Sequence, residues 1–122
     1  MKKIKDKILN DLVFDIYKKI GNEIETKYFT KFWYPFKYSR EFISKTIMKD
    51  KQIFSFIIQF SVFNPEKQEF FFKMLAYLGT NHSYYKLSHT KTFTIETLNS
   101  DEIVKEIIEH YASDYRSAED SK

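Results

Sequence analysis

The sequence predicts a mixed α+β domain with an N-terminal amphipathic helix, a three- to four-stranded antiparallel sheet and a C-terminal helix. Isoleucine recurs every four residues near the start, apolar residues alternate from Phe54 to Val62, and a second apolar stripe follows acidic residues near position 101. With 122 residues, 43% of them hydrophobic, the chain suits one ordinary core. We expect a single compact domain over residues 1–115 and a disordered tail at 116–122.

The first predicted element is an amphipathic helix over residues 3–25. Its apolar residues recur at helical spacing: Ile4, Ile8, Leu9, Leu12, Val13, Ile16, Tyr17, Ile20 and Ile24. This spacing places them along one face, so we expect that face to pack on the core. A helix–helix dimer seam is the alternative, although the 3.5-residue spacing of a coiled coil is missing. Gly21 weakens the last turn of this helix.

Two segments follow whose structures are less clearly specified. Residues 27–38 are rich in aromatics but contain Pro35, which cannot donate to a central ladder, so we predict an irregular or edge segment. Residues 41–48 fit a strand that turns back at Lys49-Asp50-Lys51. A short helix capped by Ser39 is the alternative.

The clearest predicted strand spans residues 52–63, where five apolar residues alternate with other residues. Residues 64–79 have two interpretations. Asn64-Pro65-Glu66 resembles a helix start and Gly79 a helix end. Against this, Phe70, Phe72, Met74, Ala76 and Leu78 alternate, and consecutive phenylalanines favour a strand. We predict the strand.

The sequence pattern of the last part of the chain predicts a loop, a strand and a helix. Residues 80–88 are polar, and residues 91–98 alternate as a threonine-rich strand. Asn99 and Ser100 precede Asp101 and Glu102, a pattern typical of a helix N-terminus because acidic side chains favour the positive end of the dipole. The apolar stripe of this helix comprises Ile103, Val104, Ile107, Ile108 and Tyr111.

Several classes of chemistry are excluded or unsupported. The chain has no cysteine, so disulfides and thiolate sites are excluded. Its only glycines, Gly21 and Gly79, cannot form a phosphate-cradling loop. Charged residues interrupt any apolar run after Lys2 and Lys3, so we expect no signal peptide, no membrane span and a cytoplasmic protein.

The three histidines form no recognisable motif. His110 follows Glu106 by four residues, a spacing more typical of a solvated helical pair than of a metal site. A site around His82, Tyr84, Tyr85 and His89 would need an acidic partner that the sequence does not identify. We therefore predict no catalytic residue, no metal and no cofactor. A small enzyme or ligand-binding domain is the third hypothesis.

The most distinctive segment runs from residue 27 to 42, where half of the residues are aromatic and lysine or arginine is interleaved. Tryptophan, tyrosine and arginine anchor protein interfaces, while aromatic rings with cations suit single-stranded nucleic acid. Packing of half these rings into the core is the structural alternative. We predict that the partner-binding residues are Tyr28, Lys31, Phe32, Trp33, Tyr34, Lys37, Tyr38 and Arg40.

Charge is distributed unevenly along the chain. Residues 1–51 carry 13 Lys/Arg and 7 Asp/Glu, whereas residues 100–122 carry 3 and 7. The leading hypothesis is a non-enzymatic interaction protein, such as a bacterial or phage inhibitor, immunity or anti-defence protein, or an adaptor, with a protein as its partner. Single-stranded nucleic acid is the alternative ligand, and a homodimer through the first helix or a strand edge is a further option.

Overall fold

In the part of the chain that the structure describes, a helix is followed by the five strands of one sheet and then by a second helix. The structure, a computed structural model, describes residues 6–36, 40–64, 66, 69–79, 86–94 and 99–120. The elements are α1 (Asp6–Tyr28), β1 (Phe32–Phe36), β2 (Glu41–Ile47), β3 (Ile53–Asn64), β4 (Glu69–Leu78), β5 (Lys86–Thr94) and α2 (Ser100–Asp120). This arrangement confirms the α+β class and the order of helix, sheet and helix.

The strands follow one another across the sheet in the order β1-β2-β3-β4-β5, each antiparallel to its neighbour. The predicted number of three to four strands is wrong, because the aromatic segment contributes β1 as a fifth strand. Pro35 of β1 lies opposite Phe42 of β2. A proline is tolerated there because β1 is an edge strand, with only one side committed to the ladder.

The alternation in residues 69–78 is confirmed as a strand, and the helical interpretation of residues 64–79 is wrong. Phe72 lies opposite Phe60, and Met74 opposite Ile58. All four side chains are buried. The long strand β3 supplies a partner for each of these backbone positions, so the period-two pattern outweighs the helix-like signals at Asn64 and Gly79.

Both helices pack on the same face of the sheet, and the core lies between them and that face. Tyr17 of α1 contacts Phe42 and Phe72, with ring centroids 5.6 and 6.2 Å apart. Tyr111 of α2 contacts Phe54 and Phe56 at 5.2 and 5.1 Å. The first helix therefore buries most of its described apolar stripe in its own core, as expected, whereas Ile8 is exposed. Each fully buried ring stabilises the fold by roughly 1.5–3 kcal/mol.

The second helix begins as predicted and ends later than predicted. Asn99 caps it, because its Oδ1 accepts the backbone N–H groups of Asp101 and Glu102 at 3.1 and 3.2 Å. The helix continues to Asp120 and buries Ala118, so residues 116–120 are helical where a tail was expected. The strand β5 starts at Lys86, five residues before its predicted start. Residues 95–98 lie outside the described residues.

Candidate partner-binding surface

Strand pairing divides the predicted partner-binding segment between the two faces of the sheet. Trp33 lies opposite Ser44, which is buried on the helix-covered face. Phe32 and Tyr34 lie opposite Lys45 and Ile43. Since successive strand residues point to opposite faces, Trp33 faces the helices while Phe32 and Tyr34 belong to the other face, here called the open face.

Trp33 joins β1 to α1. Its Nε1 donates a hydrogen bond to Glu25 Oε2 at 2.7 Å, and its ring stacks on Phe42 at a centroid distance of 6.3 Å. The ring also lies directly over Gly21 in the middle of α1. The side chain is half-buried and packed against the core. These contacts give Trp33 a structural role in holding the edge strand against the helix.

Arg40 is also held by contacts within the fold. Its Nε donates to Asn10 Oδ1 at 2.5 Å, and its guanidinium lies 5.6 Å from the centroid of the Phe60 ring. Its backbone carbonyl accepts a hydrogen bond from the Tyr17 hydroxyl at 2.9 Å. Burial raises the pKa of Tyr17 well above its usual value, so this hydroxyl remains a donor. Arg40 therefore links β2 to α1 and the core.

Tyr28 packs between two rings of the second helix. Its centroid lies 4.8 Å from that of Tyr111 and 4.9 Å from that of Tyr115. The remaining two predicted residues, Lys37 and Tyr38, lie outside the described residues. Of the eight predicted partner-binding residues, Lys31, Phe32 and Tyr34 are therefore exposed, and the strand register places Phe32 and Tyr34 on the open face.

This exposed group extends to residues that the sequence reasoning did not select. Phe32 and Tyr34 are each 49% exposed, and their rings are nearly parallel with centroids 6.4 Å apart. Phe29 is 79% exposed and Ile47 is 54% exposed. We define the β1 corner as Phe29, Lys31, Phe32, Tyr34, Lys45 and Ile47. Alternation along β2 is the signal that could have placed Lys45 and Ile47 on one face.

An apolar row continues from the β1 corner across the open face. The strand registers align Tyr34, Ile43, Ile57 and Leu75 on four successive strands. Ile43 and Ile57 are half-buried, and Leu75 is buried. Neither helix of the described residues packs on this side. The open face therefore has an apolar centre that borders the exposed corner.

The exposed charges on the open face are positive. Among the described strand residues, Lys45 and Lys73 are exposed, whereas Glu41 and Glu69 are half-buried. Glu41 Oε2 also accepts a hydrogen bond from Gln59 Nε2 at 3.2 Å. Lys31, the residue before β1, is exposed. The β1 corner thus combines large apolar side chains with two lysines at its margin.

A second cluster lies between β5 and α2. His89 Nε2 and Asp114 Oδ1 are hydrogen-bonded at 3.0 Å, and the rings of His89 and His110 lie 4.3 Å apart. His82, Tyr84 and Tyr85, the other members of the predicted histidine site, lie outside the described residues. Asp114 was not among the residues predicted to accompany His89. The four-residue spacing of Glu106, His110 and Asp114 along α2 was the available signal.

Burial dominates the electrostatics of this cluster. Burial and the neighbouring His89 lower the pKa of His110. Burial raises the pKa of Asp114, an effect partly opposed by its hydrogen bond to His89. The Asp114 Oδ2 and Glu106 Oε2 atoms are buried without a hydrogen-bond partner in the described structure. The Nζ atom of Lys91 lies 3.4 Å from Glu106 Oε1. Together these groups form a row of polar contacts between β5 and α2, here called the polar seam.

The seam does not have the geometry of a metal centre. Within the described ranges, no group of three or more His, Cys, Asp or Glu side chains could hold a metal ion. The hydrogen bond between His89 and Asp114 resembles the pairing of a general base with its orienting carboxylate. The same hydrogen bond joins β5 to α2 across the seam.

No protein-family model matches the chain, and no significant match was found among curated proteins or solved structures. In the part of the chain that the structure describes, neither helix is long and apolar enough to cross a lipid bilayer.

Proposed function

We propose that this protein is a non-enzymatic interaction protein that acts in the cytoplasm and binds a protein partner through the β1 corner and the adjoining apolar row. The roles that fit are those of an inhibitor, an immunity or anti-defence protein, or an adaptor. One observation carries the proposal. Of the five exposed large apolar side chains among the described residues, four belong to the β1 corner. Clustered exposed apolar side chains are typical of interaction sites.

The composition of the surface favours a protein over a nucleic acid. Ile43, Ile57 and Leu75 form an aliphatic centre, and Tyr34 and Lys45 lie at its margin. Protein interfaces combine an apolar centre with a polar rim and are enriched in aromatic residues. Aliphatic side chains lack the flat rings on which bases stack, so this centre offers little to a single strand.

Single-stranded nucleic acid is the second candidate partner, because the stacked Phe32 and Tyr34 rings lie beside Lys45. Rings and cations in this arrangement suit bases and phosphates. Fluorescence anisotropy with labelled single-stranded DNA and RNA at low and high salt tests this candidate. Binding that weakens steeply with salt and is lost in Lys45→Glu would support it. No binding at low salt would exclude it.

A site-specific crosslink identifies the protein partner. A photo-crosslinking phenylalanine analogue replaces Tyr34 in one sample and Lys105, exposed on α2, in the control sample. Mass spectrometry identifies proteins that are crosslinked only through position 34. The candidate is then purified, and its affinity is measured by isothermal titration calorimetry, so that the conclusion depends on a defined complex.

A double variant then tests the surface itself. Phe32→Ser combined with Tyr34→Ser should weaken binding by at least about tenfold, because anchoring side chains in interfaces contribute about 2 kcal/mol or more. Ile8→Ser is the matched control, since Ile8 is 55% exposed on α1 outside the corner. Equal affinities for the wild type and the double variant would show that this surface is not the binding site.

A further inference from the structure

Phe29 has an unusual conformation for a phenylalanine. It directly follows the end of α1 at Tyr28, its φ angle is 54°, and its side chain is 79% exposed. The left-handed position after a helix is usually occupied by glycine or asparagine, because a larger side chain is strained there. The residue is therefore unfavourable for its backbone conformation and is little buried by the fold.

The two neighbours of Phe29 impose this conformation. Tyr28 is held between Tyr111 and Tyr115 of α2. Thr30 is buried and donates its hydroxyl to the carbonyl of Ile24 at 3.2 Å. Because the residues on both sides point into the structure, the chain must turn outward at position 29. The fold requires the left-handed turn and does not require an aromatic side chain at it.

We infer that Phe29 is an anchor of the β1 corner, inserting into an apolar pocket of a protein partner whose rim carries aspartate or glutamate. This inference rests on the proposed function and adds the chemistry of the partner. The backbone at Phe29 is fixed by its neighbours, so presenting this exposed ring to a partner costs little backbone entropy, as expected of an interface anchor. Lys31 and Lys45 are exposed at the margin of the corner, so acidic residues complement them.

The basic margin continues beyond the strands. Lys49 and Lys51 are exposed in the turn that follows Ile47, and Lys51 also has a positive φ angle, 68°. The same turn carries the exposed Asp50. This turn therefore carries two lysines and one aspartate, and a negative charge on the partner complements its excess of positive charge.

Replacement of Phe29 by glycine separates binding from folding. Phe29→Gly relieves the backbone strain, so the melting temperature should stay equal or rise. The affinity for the protein that is crosslinked through position 34 should fall by at least about tenfold, the loss expected for a hot-spot side chain. Ile8→Ala is the control for loss of an exposed apolar side chain, and it should leave the affinity unchanged.

Defined probes test the chemistry of the partner. Fluorescence anisotropy compares the binding of three labelled probes. The first is a peptide in which leucine and phenylalanine alternate with aspartate and glutamate, and the second has lysine in place of each acid. The third is an oligouridylate. Vesicle co-sedimentation tests phosphatidylcholine with phosphatidylserine. We expect binding to the acidic peptide alone, weakened in Phe29→Gly and in the double variant Lys31→Glu, Lys45→Glu.

The outcomes distinguish this inference from the proposed function. Unchanged affinity in Phe29→Gly, with binding still lost on replacement of Phe32 and Tyr34, would overturn the anchor and leave the proposed function in place. A clear fall in the melting temperature of Phe29→Gly would show that the ring serves the fold. No binding to the acidic peptide, or preference for the basic peptide, oligouridylate or vesicles, would overturn the partner chemistry.

Discussion

The Trp33 ring on β1 fills the space that a side chain on Gly21 of α1 would need. A Cβ atom placed on Gly21 would overlap Cε3 of Trp33, closer than carbon atoms approach without displacement. Glycine within a helix is less stable than alanine by roughly 0.5–1 kcal/mol. The glycine is therefore best explained as the residue that admits the tryptophan ring against the helix.

The first prediction follows from this contact. Gly21→Ala should lower the free energy of unfolding by about 1–3 kcal/mol, because the added methyl group displaces the Trp33 ring. In a Trp33→Leu background the same change should stabilise the protein by up to about 1 kcal/mol, the difference in helix propensity. Urea denaturation measures both. A change of the same sign in the two backgrounds would refute the steric explanation.

The second prediction concerns three buried hydroxyls, those of Thr30, Thr46 and Tyr111. The Oγ1 atoms of Thr30 and Thr46 are 2.8 Å apart, and the Tyr111 hydroxyl lies 2.7 Å from Thr46 Oγ1. Burial raises the pKa of Tyr111 to about 12, so the hydroxyl stays protonated at neutral pH. Tyr111→Phe should lower the free energy of unfolding by about 1–2 kcal/mol, because a buried partner loses its hydrogen bond.

A double-mutant cycle tests whether these hydroxyls act together. Thr46→Val should also destabilise the protein, and the combined variant should lose less than the sum of the two single losses. Tyr115→Phe serves as the control, since Tyr115 is half-buried and keeps its ring contacts in this variant. Additive losses for Tyr111 and Thr46 would contradict the coupling.

The third prediction is a dependence of stability on pH at the polar seam. Burial lowers the pKa of His110 below its usual 6.5. The unfolded chain therefore binds a proton more readily, and stability should fall as the pH decreases below about 6.5 toward the folded-state pKa. His110→Gln should reduce this fall. His89, Asp114, Glu106 and Glu109 are the charged or titratable groups that act on His110.

Thermal denaturation between pH 5 and 7.5 measures this effect. The control is Thr90→Ala, a substitution at an exposed position that removes no titratable group. Asp114 acts in the opposite direction at lower pH. Burial raises the pKa of Asp114 above 3.8 in the folded protein. The contribution of its protonated form to stability is therefore lost as the pH rises from 3.8 through the folded-state pKa. A profile for His110→Gln identical to that of the wild type would contradict a contribution from His110.

The fourth prediction concerns the start of α2. Asn99→Ala removes the acceptor for the N–H groups of Asp101 and Glu102. It should therefore lower the free energy of unfolding by about 1 kcal/mol. Asn99→Asp keeps an acceptor and adds a negative charge at the helix N-terminus, so it should retain wild-type stability or exceed it. Urea denaturation distinguishes the two variants. Equal losses in both would show that the side-chain oxygen is not the cap.

The elements that the sequence predicted well are those whose signals are local. The apolar stripe of α1 and the cap at Asn99 depend on residues within a few positions of one another. The strand β1 was uncertain because five residues containing Pro35 have no stable strand structure of their own. It forms through pairing with β2, a contact that the sequence of this segment alone does not specify.

The sequence by itself determined the α+β class, the lack of thiol and glycine-loop chemistry, and the existence of one aromatic, basic segment. Only the tertiary structure decided which of its rings face outward. Trp33 and Phe32 are adjacent in the chain, yet one packs on Gly21 and the other is half exposed, because neighbouring strand residues point to opposite faces. Which face is covered depends on where distant helices pack, and for the same reason His89 meets Asp114 only in the folded chain.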